Sequence, residues 1–240
     1  MGFMRGGAHT RDQVVRGQHV SDLDFTVEQV LLDAIRGLDP ECTFQGDCFF
    51  AGGTGNRWVV RAIDGRDNFY RQRPHFCISV ACTSANQVTS AWVYDPLHQR
   101  LYELDDGCVS LNGLPIKPST HDTLQGALID VACVRPGASD QDWYRLRSAT
   151  NHGVEFRQFG CANLSLCDVA TGQVDGFFDA ALKVPDFIAG QAIAQAAGAI
   201  AGNSHLAQPW ANPMQCLVVQ RHVLDALLAI WPDLEQAIPL

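Results

Sequence analysis

Four strand-length runs crowd the stretch from residue 58 to residue 103: Trp58-Val-Val60, Phe76-Cys-Ile-Ser-Val-Ala81, Thr89-Ser-Ala-Trp-Val-Tyr94 and Gln99-Arg-Leu-Tyr-Glu103. Turn residues set them apart, among them Asp95-Pro96 and, further on, Asp105-Asp-Gly107. Runs of this length, rich in β-branched and aromatic residues and punctuated in this way, predict an antiparallel meander. After it the pattern changes. Strand-like Leu128-Ile-Asp-Val-Ala132 and Val154-Glu-Phe-Arg157 alternate with helical stretches from Cys161 to Ala170, Asp186 to Ala197 and Val223 to Ile230. That alternation reads as α/β. The composition shifts near residues 118–126, at Pro118-Ser-Thr-His-Asp122, so the chain divides into halves 1–121 and 122–240 with a site expected at their junction.

Ahead of the meander, the apolar residues of Val27-Glu-Gln-Val-Leu-Leu-Asp-Ala-Ile35 recur at helical spacing, and Gly37 and Pro40 end that helix. Thr26 is read as its N-cap. Residues 1–20 are rich in Gly and Arg without periodicity and are read as loose. Gly52-Gly-Thr-Gly55 lacks the Gly-Lys-Ser/Thr ending of a P-loop and is read as a hairpin turn.

Composition removes several kinds of function. Lys and Arg number 17 against 26 Asp and Glu, a formal net charge of −9, which argues against a general nucleic-acid binder. A hydrophobic share of 47% with 18% charged residues supplies a substantial core. No apolar run approaches the ~20 residues needed to cross a bilayer. The opening Met1-Gly-Phe-Met-Arg-Gly-Gly-Ala-His-Thr10 lacks the apolar centre of a signal peptide, so a cytoplasmic protein is expected. The nine cysteines are odd in number, evenly spread and without a Cys-x-x-Cys pair, which reads as buried free thiols. The eight histidines show no ligand spacing for zinc.

The most specific stretch is Trp58-Val-Val-Arg-Ala-Ile-Asp-Gly-Arg-Asp-Asn-Phe69. It resembles the signature Trp-x-x-Asp-Pro-Ile-Asp-Gly-Thr-x-Asn-Phe of the inositol monophosphatase family. Gly160-Cys-Ala-Asn, running on to Val169-Ala-Thr-Gly-Gln-Val-Asp175 and Asp179, is similar to that family's Gly-Ser-Ala-Ala…Val-Ala-x-Gly-x-x-Asp segment. Val184-Pro-Asp-Phe-Ile-Ala-Gly190 stands for its Trp-Asp-x-Ala-Ala-Gly, and Gly46-Asp47-Cys48 for its Gly-Glu-Glu. Asp24 with Val27-Glu28 stands for its Thr-Asp-x-x-Val-Glu. The matches fall in the family's order over about residues 20–240. They imply a layered αβαβα sandwich and metal-assisted hydrolysis of a small phosphate monoester, with carboxylates holding Mg²⁺ ions that activate water and neutralise phosphoryl charge.

Only part of the implied set is present. Asp64 matches the second Asp of the signature, Ile63 its backbone carbonyl ligand, Gly65 its glycine and Asp186 the Asp of Trp-Asp. Asp47 replaces the first Glu of Gly-Glu-Glu, one methylene shorter. Arg61 stands at the metal-bridging Asp, Arg66 at the water-orienting Thr, Cys48 at the second Glu, Pro185 at the Trp and Cys161 at the phosphate-site Ser. The family's first helix is expected to be missing, because few residues precede Asp24.

Three acids (Asp47, Asp64, Asp186) against two arginines leave one net negative charge where the family's cluster demands dications. A guanidinium can pair bidentately with such carboxylates and fill the volume of a metal. Metal ligation by Asp47, Ile63, Asp64 and Asp186 is therefore expected to be weak or absent, with no cofactor tightly bound and Mg²⁺ the ion if any is retained. Asp47, Asp64 and Arg66 are the candidate catalytic positions. Arg61, Gly65, Arg66, Cys161, Ala162, Asp179 and Asp186 are the candidates for holding a small phosphorylated or anionic ligand. Several alternatives stay open. Arg61 either faces the pocket or turns out toward Asp67 or another surface acid; Asp24 either caps the helix or serves an outer metal site; Asp179 either takes substrate hydroxyls or is structural.

Two functions follow. One is a degenerate member, a binding or scaffold protein that has lost metal-dependent hydrolysis. The other is an enzyme with altered chemistry, a one-metal or metal-independent phosphatase acting on a phosphorylated polyol, sugar or nucleotide. Neither involves a membrane or nucleic acid. The resemblance also implies a homodimer, with Gln191-Ala-Ile-Ala-Gln-Ala-Ala197 as a stretch suited to close helix packing.

Overall fold

The computed structural model describes residues 13–15, 18–116, 124–132, 139–202 and 213–232. Residues 1–12, the composition shift at 118–122 with the 121/122 junction, and Cys133 lie outside the described residues. Within the stretch expected to be loose, β1 (Gln13–Val15) and β2 (Gln18–Val20) pair as a small antiparallel ribbon.

Helix α1 (Asp22–Leu38) follows, with Asp24, Glu28, Leu32 and Ile35 on its buried face. It begins five residues earlier than the apolar pattern from Val27 showed. The N-cap is Ser21, not Thr26, whose hydroxyl instead donates to the Asp22 carbonyl inside the first turn at 2.8 Å. Asp24 at the third helical position accepts from both the Ser21 N–H and the Ser21 hydroxyl at 2.8 Å, a cap that satisfies an otherwise orphaned donor.

The first sheet contains β3 (Thr43–Gln45), β4 (Phe50–Ala51), β5 (Arg57–Asp64), β6 (Cys77–Ser84), β7 (Gln87–Asp95), β8 (Arg100–Asp105), β9 (Cys108–Leu111) and β10 (Leu114–Pro115). Its order is β10-β9-β8-β7-β6-β5-β3-β4, so the meander forms as expected. Val60 faces Val80 across β5–β6, and Val80 faces Trp92 across β6–β7. The Gly52–Gly55 segment is not a hairpin turn. β3 runs parallel to β5 and has β4 on its far side, so the glycines carry the chain back past β3. The tight hairpin lies at Gly46–Phe49, where the Gly46 N–H donates to the Phe49 carbonyl at 2.9 Å.

The second sheet contains β11 (Leu128–Val131), β12 (Glu155–Arg157), β13 (Gly176–Leu182), β14 (Ile200–Gly202) and β15 (Met214–Val219), in the order β12-β11-β13-β15-β14. β11 is parallel to β12 and β13, and β15 is antiparallel to β13 and β14. Helices α3 (Asp140–Asn151) and α6 (Arg221–Ile230) pack on its outer face. Helices α4 (Ala162–Ala170) and α5 (Ile188–Ala196) fill the space between the sheets.

The two-residue period of strands explains the layering. Val59 turns inward to α4 and α5, whereas Val60 packs under α1. Phe177 and Val218 face the same central layer, whereas Phe178, Leu217 and Val219 face α3 and α6. The result is an αβαβα sandwich. In the 191–197 stretch Gln191, Ala192, Ile193 and Ala194 are buried in the central layer, whereas Gln195 and Ala196 are exposed. Among the described residues no helix is long and apolar enough to cross a membrane.

Candidate functional site

The site is built where β5 ends. A β-bulge between Arg61 and Asp64 shifts the register against β6 from Arg61–Ser79 to Asp64–Cys77. Without the extra residue these two positions, three apart, would point to opposite faces; the bulge turns both toward the central layer. Gly65 then takes a left-handed φ of +79°, and a Cβ there would stand 2.9 Å from both the Cys161 Cβ and the His75 carbonyl. Only glycine fits this turn. Arg66 opens the short helix α2 (Arg66–Tyr70).

The arginines point inward. Arg61 Nη1 donates to both carboxylate oxygens of Asp47, at 2.5 and 2.7 Å, and Arg61 Nη2 pairs with Asp186 Oδ1. Arg66 Nε and Nη2 donate to Asp24 Oδ1 at 3.1 and 2.9 Å, and Nη2 also reaches Asp47 Oδ2. Arg61 is 7% exposed, Asp47 9% and Asp24 0%, so these are interior ion pairs. Asp24 takes part in both arrangements, one oxygen capping α1 and the other accepting from Arg66.

Burial by itself would raise the Asp47 carboxyl, but Arg61 and then Arg66 outweigh it and hold the group below the usual carboxylate range. The Arg61 guanidinium loses hydration, yet Asp186, Asp47 and Asp64 keep its proton more firmly held than usual. Asp64 is the exception. Burial raises its carboxyl despite the facing Arg61, and its Oδ2 accepts the Asn163 backbone N–H at 2.8 Å. An acid of this chain thus occupies the first turn of α4, where a helix offers free N–H groups to an anion.

Asp47 is placed by a residue that the sequence reading quoted without a role. The fully buried Glu28 accepts the N–H groups of Asp47 (2.8 Å), Cys48 (3.0 Å) and Phe49 (3.0 Å), clamping the β3–β4 hairpin to α1. Burial raises its carboxyl, with Asp47 adding to the effect. Asp24 and Glu28 stand one helical turn apart on the face that also carries Leu32 and Ile35, and two acids in an apolar stripe were the available signal. Asn163 is a second such residue. Its side chain donates to the Asp186 carbonyl and accepts from Gly190 N–H, both at 2.9 Å, fastening α4 to the Asp186 turn and α5.

The remaining candidates are placed as follows. The Ile63 side chain packs with Ala62, Phe69 and Phe76. Cys161 is the buried N-cap residue of α4, and Ala162 is its first residue, packed in the central core. Asp179 is fully buried in β13, its Oδ1 accepting the Ala181 N–H at 2.7 Å beside a bulge. Cys48 is half-buried, and burial with the nearby acids pushes its thiol up to about 12.

The fold and the acid-lined end of β5 define a class, the layered αβαβα sandwich of phosphatase-like fold. Residues 5–229 match the inositol monophosphatase family, and the chain belongs to it. Nus factor SuhB of Escherichia coli K12 is 32% identical over 187 residues, covering 75% of this chain and 70% of that protein. Nus factor SuhB of Vibrio cholerae is 31% identical over the same shares. Among solved structures, the extragenic suppressor protein suhB from Bartonella henselae has a TM-score of 0.81 at 22% identity, covering 90% of this chain and 86% of that one. Inositol monophosphatase from Anabaena sp. PCC 7120 has a TM-score of 0.74 at 24% identity over the same shares.

Proposed function

We propose that this chain is a member of its family in which two guanidinium groups stand in place of metal ions, and that it works as a binding or scaffold protein without two-metal phosphatase activity. The observation that carries this reading is the Arg61 fork, which holds Asp47 and Asp186 together across the position of a bridging carboxylate. The donors left do not suit a pair of Mg²⁺ ions. Asp47 and Asp186 are committed to Arg61, Asp24 and Asp47 to Arg66, and Asp64 to the α4 backbone. A dication entering here would meet two fixed positive charges already paired with Asp24, Asp47 and Asp186.

The same commitments bear on the ligand. A small phosphorylated or anionic molecule would take the Arg61 Nη atoms, the Arg66 Nε and Nη2 atoms or the Asn163 N–H only by displacing a carboxylate of the protein itself. The name Nus factor, carried by relatives at 31–32% identity, adds weight to a binding role. The test is a hydrolysis assay with inositol phosphates, fructose bisphosphate and adenosine 3′,5′-bisphosphate in the presence of Mg²⁺. No release above a buffer control is expected; Mg²⁺-dependent turnover at ~1–10³ per second would overturn the reading.

A further inference from the structure

The first sheet also meets helix α4 through sulfur. Cys77 is the first residue of β6, and Cys161 caps α4 in the central layer. Their Sγ atoms lie 3.5 Å apart across a sequence separation of 84. They are 0% and 2% exposed, and both are free thiols. A disulfide needs an S–S distance of about 2.05 Å, so the sulfurs must approach by roughly 1.5 Å. The ligating atoms of Asp64, Cys77 and Cys161 all lie within 4.8 Å of one another, which raises a soft-metal site as the competing use of these thiols. Charge argues against it. The trio supplies three donors, one of them already accepting the Asn163 N–H, and the Arg61 guanidinium faces Asp64.

We propose that Cys77 and Cys161 are a modification site, forming a reversible disulfide under a small peroxide and so fastening the first sheet to the N-terminus of α4. One thiol attacks hydrogen peroxide; the O–O bond breaks, a sulfenic acid forms and water leaves. The second sulfur then attacks the sulfenic sulfur. The S–S bond forms, the S–O bond breaks, and the departing hydroxide takes the second thiol's proton as a second water. Two thiols and one peroxide give one disulfide and two waters, the sulfurs losing the two electrons that the peroxide gains. A dithiol reductant reverses the change. Burial holds both thiols above their usual range, so little thiolate is present and the reaction is slow and restricted to an oxidant as small as peroxide.

The experiment treats the full chain with hydrogen peroxide and reads intact mass, non-reducing peptide maps and melting temperature. Expected are a loss of two hydrogens, a Cys77–Cys161 cross-linked peptide, and a rise in Tm of roughly 5–15 °C that dithiothreitol reverses. Cys77→Ala and Cys161→Ala should each abolish the cross-link and the rise, while Cys216→Ala keeps both. Because the peptide map is read on the unaltered chain, a variant that fails to fold leaves the proposal testable. Oxygen adducts without the Cys77–Cys161 peptide, or a cross-link between other cysteines, would overturn it. So would a divalent metal that native mass spectrometry finds on the chain and that Cys77→Ala removes.

Discussion

Replacing Arg61 by Met removes the guanidinium while keeping most of the side chain's volume. Asp47 loses two short hydrogen bonds and Asp186 its ion pair, and both acids stay in the interior, 10% and 17% exposed at the side chain. Removing one partner of a buried pair costs about 3–5 kcal/mol when the charge left behind is uncompensated; Asp186 loses its arginine, whereas Asp47 keeps Arg66. One term works the other way. Arg61 Nε is buried without a partner among the described residues, and losing an unsatisfied donor offsets part of the cost. About 3 kcal/mol at neutral pH is therefore the expected loss, which lowers Tm by about 6–12 °C at this chain length.

The pH dependence carries the sharper signature. In the wild type the folded Asp47 carboxyl lies below its unfolded value, so its contribution is present above about pH 4 and is lost as pH falls through the folded value. In the Met variant burial acts on Asp47 with Arg66 alone opposing it, so its carboxyl rises and takes up a proton more readily as the solution is acidified. The gap between the two proteins should narrow from pH 7.5 to pH 4.5. Urea denaturation at both pH values measures it. A loss under about 1 kcal/mol at pH 7.5, the range of exposed ion pairs, or a gap that acid leaves unchanged, would refute the assignment of Arg61 to an interior salt bridge.

Two more outcomes follow from the site and its surroundings. Gly65→Ala should destabilise the fold by more than about 2 kcal/mol, because it adds a close approach to the His75 carbonyl to the cost of a left-handed φ; Gly126→Ala, at φ +81° in open space, should show the φ cost alone, and equal losses in denaturant melts would count against the packing account. Asp168 in α4 is held up to about 7 by burial, with Arg100 opposing, so the folded state keeps its proton after the unfolded chain has released it. Stability from this group is complete below about pH 4 and is lost as pH rises to about 7, by an amount on the order of 2–4 kcal/mol. Asp168→Asn should flatten the stability curve over that interval, and a curve parallel to the wild type's would show Asp168 ionised throughout.

The meander was legible because β5 to β8 are six to nine residues long, enough for a two-residue period and bounding turns to show. β3 and β4, at three and two residues, are too short for any period. The parallel pairing of β3 with β5 depends on tertiary contact, so the glycines between were misread as a hairpin. Arg61 and Arg66 stood out as departures from a motif, but their direction was not legible. It is set by the bulge between Arg61 and Asp64 and by Asp24, whose capping role depends on Ser21, a residue the apolar pattern did not reach. Glu28 had a signal that helical spacing alone could have yielded. The Cys77–Cys161 approach had none, because the packing of α4 on the first sheet brings those positions together from 84 residues apart.

The central claim, that guanidinium groups have taken the place of metal, is tested most directly by calorimetric titration of Mg²⁺ into the wild type and into the double variant Arg61→Asp, Arg66→Thr. The wild type should give no binding heat below the millimolar range. The double variant, with a carboxylate and a hydroxyl restored, should bind Mg²⁺ and melt at a higher temperature when the ion is present, since a ligand that binds only the folded state stabilises it. Adding Asp186→Asn to the pair should remove that gain. Sub-millimolar binding of two Mg²⁺ per wild-type chain would contradict the account, and so would a folded double variant whose Tm ignores Mg²⁺.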